Sequence, residues 1–132
     1  MGESLKVIPG QRARTVMTLV GSMDLAAKIV KSAQWHHLNV RNFDKAEKLL
    51  VASLVQVPEV VILDFEAREA DAFKFLKAVR ENAVLKRTAV IGFVSHDKRQ
   101  VKNEAESAGC LRVFLKTEFW AGLDGIWLRY AA

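Results

Sequence analysis

With 132 residues the chain is long enough for one domain with its own core and too short for two ordinary ones. Its apolar share of 51% excludes a disordered tail, and no apolar run approaches the ~20 residues of a membrane span. The net charge of +5 raises nucleic acid as a partner. The cations are scattered, however (Lys28, Lys45, Lys74, Arg80 and Lys102 fall on four different predicted helices) and usually alternate with Glu and Asp, as on a solvated face.

The first residues, 1–14, read as an arm broken at Pro9-Gly10, without the apolar core of a signal peptide, so a cytoplasmic protein is expected. Residues 15–132 then form one domain. Thr15–Val20 is an apolar strand, and Asp24–Gln34 a helix with Leu25, Ala26, Ile29, Val30 and Ala33 on one face. His37–Val40 alternates and is short, which predicts an edge strand; adjacent His36 and His37 then point to opposite faces and cannot share an ion. Asp44 with Glu47 has capping-box spacing ahead of a helix burying Ala46, Leu49, Leu50, Ser53 and Leu54.

Val60–Phe65, VVILDF, is the third strand, apolar on both faces until Asp64. The next helix buries Ala72, Phe75 or Leu76, Val79 and Ala83. Ala89–Val94 is the fourth strand. Asp97 is placed to cap a helix with Val101, Ala105 and Ala108 inward, which Gly109 ends. Leu111–Leu115 is the fifth strand, and Phe119–Tyr130 the last helix. Lone Cys110 allows no disulfide framework and no cysteine metal cluster, and reads as a small core residue.

Alternating strands and helices predict a three-layer α/β/α fold around a five-stranded parallel sheet, flavodoxin-like in its order 2-1-3-4-5. Ligands of such sheets bind beyond the carboxyl ends of the strands, where the order reverses. The strand ends bring Gly21-Ser22, Asp64, Ser95-His96 and Lys116-Thr117 to that edge. A carboxylate, a hydroxyl and an ammonium are the parts of a phosphoacceptor: the first attacks a phosphoryl group, the others hold its oxygens. Glu66, two residues after Asp64, also gives the spacing of an aspartate-nucleophile phosphohydrolase, but without the second aspartate or the first-strand position that this chemistry uses.

Across residues 15–130 these features resemble the CheY-like receiver domains of two-component signalling. In that resemblance Asp64 matches the phosphoacceptor, Ser95 the switch hydroxyl and Lys116 the family lysine, at intervals that fit. The stretch ESAGCLRVFLK is similar to the family's AGA-x-x-[YF]-x-x-K. The departures point the other way. Gly21 and Ser22 stand where receivers carry the acidic pair that holds Mg²⁺, leaving Asp64 and the Glu66 carbonyl as its only ligands, with Asp24 better placed to cap the first helix. Arg68, Ala72, Val113 and Thr117 replace the usual proline, glycine, switch aromatic and second proline. The resemblance therefore implies an atypical, or pseudo-, receiver: no cofactor, weak or absent Mg²⁺ binding, and Asp64 more plausibly in an ion pair with Lys116 than phosphorylated.

The expected function is a stand-alone, non-enzymatic protein-interaction module in signalling, largely phosphorylation-independent, whose output passes through a kinase or effector partner. A phosphorelay receiver using Asp64 is the alternative, and basic nucleic-acid binding a less favoured third. Phe119, Trp120, Trp127 and Tyr130, with Leu123 extending their stripe, give the last helix more aromatic surface than one buried stripe requires, which predicts a homodimer through this helix; filling the core beneath it is the competing reading. His96 reads as an exposed loop residue near the site.

Overall fold

A computed structural model of the chain describes residues 14–131. The arm assigned to residues 1–14 thus lies outside the described residues, apart from Arg14, whose guanidinium donates to the Ala131 carbonyl at 3.1 Å. Five strands, β1 (Thr15–Leu19), β2 (Asn39–Asn42), β3 (Val60–Asp64), β4 (Ala89–Val94) and β5 (Arg112–Leu115), pair in parallel in the order β2-β1-β3-β4-β5. Six helices connect and cover them: α1 (Met23–Gln34), α2 (Ala46–Val55), α3 (Ala72–Arg80), α4 (Arg99–Ser107), α5 (Lys116–Ala121) and α6 (Leu123–Tyr130).

The two-residue period of the strands divides the core. Met17, Leu19, Val61, Leu63, Val90 and Val113 pack under α2, α3 and α4. Val16, Val60, Ile62, Ile91, Phe93 and Phe114 pack under α1, α5 and α6. The register aligns Leu63, Gly92 and Val113 in one row across the sheet and Asp64, Phe93 and Phe114 in the next. Cys110 lies in the first core, where burial pushes its thiol up to about 12 and keeps it a neutral packing group.

Several element ends differ from their sequence expectations. His36 and His37 are not in the edge strand. His37 takes a left-handed backbone (φ 57°) after α1, and the Leu38 amide returns to the Ala33 carbonyl at 3.1 Å, so β2 begins only at Asn39. His36 instead approaches Asp124 at 3.0 Å. Ser22, not Asp24, caps α1, accepting from the Leu25 amide at 3.3 Å.

The expected capping box of α2 does not form. Its carboxylates have cationic partners instead: Asp44 pairs with Lys48 at 3.1 Å and Glu47 with Lys74 at 2.6 Å, while Lys45 occupies the cap position. Leu54, expected inside, is exposed, and Ala52 is buried in its stead. In α3 both Phe75 and Leu76 are buried, whereas Ala83 falls beyond the helix in an exposed 3₁₀ turn. Asp97 sits exposed in the turn before α4 and caps nothing; the cap residue is Lys98. Gly109, at φ 110°, does end the turn after α4.

The expected last helix is two helices, separated at Gly122. Among its aromatic residues Phe119 and Trp127 are buried together with Leu123, and Trp120 and Tyr130 are half-buried against the same core. The Trp127 indole N–H donates to Ser32 Oγ at 2.8 Å, which satisfies its one polar group inside the fold. Phe119 lies 4.7 Å from Phe93, centroid to centroid, and 5.0 Å from Trp120. Phe119, Leu123 and Trp127 are therefore covered from within the chain, and Trp120 and Tyr130 are the partly exposed members of the surface expected to meet a second copy. The tryptophan standing in solvent is Trp35, 81% exposed at the end of α1.

Candidate functional site

Topology brings the sequence-selected residues to one edge: Asp64 closes β3, Ser95 follows β4, Lys116 follows β5 as the first residue of α5, and Gly21-Ser22 leads from β1 into α1. Asp64 is 7% exposed, and its Oδ1 accepts from the Glu66 amide at 3.0 Å. Burial raises its carboxyl above the ordinary carboxylate range; the backbone amides of Glu66 and Gly21, and then the more distant charge of Lys116, pull the other way without cancelling it.

The expected Asp64–Lys116 ion pair is not formed: no cation lies within salt-bridge distance of Asp64 among the described residues. Lys116 acts on Asp64 only as a more distant charge. The pair that does form joins Glu66 and Ser95. The Ser95 hydroxyl donates to Glu66 Oε1 at 2.7 Å and the Ser95 amide donates to the same oxygen at 2.9 Å. The carboxylate of Glu66 thereby ties the exit of β3 to the exit of β4. The sequence suggests a carbonyl ligand or a poorly fitting phosphohydrolase acid at Glu66, and not this contact with Ser95. The available signal was its position, an acid two residues past one strand end and facing a serine at the neighbouring strand end.

At the degenerate metal-pair positions, the Ser22 hydroxyl is occupied as the α1 cap and Gly21 presents no side chain. A Cβ on Gly21 would meet Ala67 Cβ at 3.1 Å, so even a small side chain there displaces the loop after β3. Among the described residues no group of three or more His, Cys, Asp or Glu side chains could hold a metal ion. With the Glu66 carboxylate held by Ser95 and no acid at 21 or 22, Asp64 is the one carboxylate at this edge left to offer a hard cation such as Mg²⁺ among the described residues. His96 is exposed in the turn beyond Ser95, Thr117 is exposed in α5, and every described peptide bond is trans.

The switch-aromatic position holds Val113, buried in the row Leu63, Gly92, Val113. The space above Gly92 is taken by Phe65, the residue after Asp64: a Cβ on Gly92 would fall 2.3 Å from the Phe65 ring. Phe73 of α3 packs on that ring at 5.1 Å.

The raised Asp64 carboxyl has a thermodynamic consequence. Because its folded-state affinity for the proton exceeds the unfolded one, its contribution to stability is full below the unfolded carboxyl pKa and is lost as pH rises through the folded value. At neutral pH the buried charge opposes folding. Asp64→Asn keeps the acceptor for Glu66 and removes that charge. Relative to wild type, its stability is expected to be most favourable at pH 7 and to decline as pH falls toward and below ~4. Thermal melts across that range check this; a variant destabilised equally at every pH would contradict it.

No protein-family model and no curated protein sequence matches the chain. Solved structures do. The chain is similar to a putative response regulator from Chloroflexus aurantiacus (TM-score 0.79, 16% identity, covering 92% of this chain and 100% of that one). It is also similar to the receiver domain of a sensor histidine kinase from Pseudomonas aeruginosa, a structure with magnesium coordinated in its active-site cleft (TM-score 0.78, 13% identity, 90% and 98% coverage). The chemotaxis response regulator CheY4 of Vibrio cholerae matches with a TM-score of 0.70 at 19% identity over 80% of this chain and 88% of its own. At such identities the likeness establishes a shared fold: this chain has the CheY-like, flavodoxin-type sheet and layers. Among the described residues no helix is long and apolar enough to cross a membrane.

Proposed function

We propose that the chain is an atypical receiver-like module of cytoplasmic signal transduction, which binds a protein partner (a kinase or an effector) without phosphorylation of Asp64 and catalyses no reaction of its own. The observation that carries this reading is the Glu66–Ser95 pair. A serine hydroxyl has one proton to donate, and here it is donated to Glu66. A phosphoryl oxygen on Asp64 would therefore meet a hydroxyl without a free proton. It would also meet the Glu66 carboxylate, close enough to raise the Asp64 carboxyl by repulsion. In the resembled family Mg²⁺ offsets such charge in the phosphoryl transition state, and Asp64 is the one carboxylate left at this edge to offer that ion among the described residues. Phe65 covers Gly92 of β4 and buried Val113 stands beside that glycine on β5, apolar packing that supports a single fixed arrangement over a switching one.

The runner-up, phosphoacceptor chemistry on Asp64, draws on the placement of Asp64, Ser95 and Lys116 at one edge. Incubation with acetyl phosphate and Mg²⁺ followed by intact-mass measurement separates the two. The expected result is no increment of one phosphoryl mass on wild type; a near-stoichiometric increment abolished by Asp64→Asn would establish the runner-up.

A further inference from the structure

Opposite the site just described, where β4 and β5 begin, a cavity of about 450 Å³ opens between the end of α3 and the turn after α4. Arg80, Lys86 and Arg87 line it, and no carboxylate does. Its distinction is the convergence of three cations on one cavity, since cations outside any salt bridge, such as Lys31, Lys77 and Arg99, also occur elsewhere on the described surface. Lys48, Lys74 and Lys102 each pair with a carboxylate, and Lys28, Arg41, Arg112 and Arg129 each lie over an aromatic ring. At the cavity three cations converge and, among the described residues, none is in a salt bridge. Arg80 is partly fixed, its Nη1 donating to the Ala108 carbonyl at 3.2 Å and its methylenes against Gly109, which leaves its other guanidinium donors free. The remaining wall is apolar, with Val79, Val90 and Leu111.

The geometry points to this cavity as a binding site for an organic phosphate of mononucleotide size, its phosphates on Arg80, Lys86 and Arg87 and its apolar or aromatic body on Val79, Val90 and Leu111. The volume lies within the range of small-ligand pockets. Guanidinium forks suit phosphate oxygens bidentately, and an ammonium adds a point charge. An apolar wall beside them selects an organic phosphate over the bare ion. The site lies at the amino-terminal end of β4, whereas Asp64, Ser95 and Lys116 lie beyond carboxyl ends, so it stands or falls independently of the signalling reading.

The test is an amide NMR titration of the full chain with ATP at physiological salt, with adenosine and inorganic phosphate as separate arms. Saturable shifts centred on Thr88, Val90, Gly109 and Leu111 are expected with ATP, and binding at least about ten-fold weaker for either fragment alone. Lys86 and Arg87 are exposed, so the double variant Lys86→Ala/Arg87→Ala keeps the fold and is expected to bind ATP on the order of ten-fold or more weakly, from the loss of two charge-assisted contacts. Equal ATP affinity in wild type and this variant, shifts scattered over all basic residues, or inorganic phosphate binding as tightly as ATP would each overturn the assignment. So would a single-stranded oligonucleotide displacing ATP at far lower concentration, which would make the surface a nucleic-acid contact.

Discussion

Trp127→Ala is expected to lower the unfolding free energy by about 3–5 kcal/mol, the cost of removing a large buried aromatic from a close-packed core. The indole is 1% exposed and packs with Phe119, Leu123 and Ile126 in the core under α1, α5 and α6. Its removal also leaves Ser32 Oγ without the donor it accepts from at 2.8 Å. A domain of this size has ~5–15 kcal/mol in hand, so one substitution consumes a large part of the margin. Leu128→Ala on the exposed side of α6 is the control, expected within about 0.5 kcal/mol of wild type. Urea unfolding measures both. If Trp127→Ala kept wild-type stability and instead dissociated a dimer, the tryptophan would be an interface anchor after all.

Gly92→Ala is the second large effect, and its cause is the opposite one. The added Cβ would fall 2.3 Å from the Phe65 ring and 2.8 Å from the Leu63 carbonyl oxygen. The ring can swing aside, but the carbonyl belongs to the neighbouring central strand and cannot move without disturbing the β3–β4 ladder. A loss of about 1–3 kcal/mol is expected, as for other overpacked core positions. Combining Gly92→Ala with Phe65→Ala removes the ring contact and leaves the carbonyl contact. The double variant is therefore expected to be less destabilised than the sum of the two single ones. Strict additivity in urea melts would show that Phe65 does not occupy the space over Gly92.

The strands were the most legible part of the chain, for a physical reason. VVILD and AVIGFV are buried on both faces, and a run of that length and composition has few other uses in a soluble fold. The strand order followed from alternation and handedness. The helix ends were less legible because caps are settled by competition among nearby groups. Asp44 and Glu47 have the spacing of a capping box, yet each finds a lysine, and the partner of Glu47 is 27 residues away on α3. His37 takes a left-handed position that sequence rules reserve for glycine or asparagine, which displaced the start of β2.

The same limit applies at the site. The placement of Asp64, Ser95 and Lys116 at one edge was readable from the strand ends, while the identity of the partners was not. Lys116 was expected to pair with Asp64, but the contact that forms there is Glu66 with Ser95, made by a side chain whose reach across to the neighbouring strand no local pattern encodes. The aromatics of the last segment were likewise ambiguous, since helical spacing alone does not say how far the sheet extends beneath them. Gly122 divides the segment and lets α6 turn Trp127 onto Ser32 of α1.

The most direct test of the phosphorylation-independent reading is the amide NMR spectrum of the full chain before and after millimolar Mg²⁺ and beryllofluoride, a phosphoryl mimic. With Ser95 held by Glu66 and no acid at positions 21 and 22, the resonances of Asp64, Ser95 and Lys116 are expected to stay essentially where they were. Large shifts confined to these residues and their neighbours, saturating with Mg²⁺, would contradict the account and make Asp64 a working phosphoacceptor.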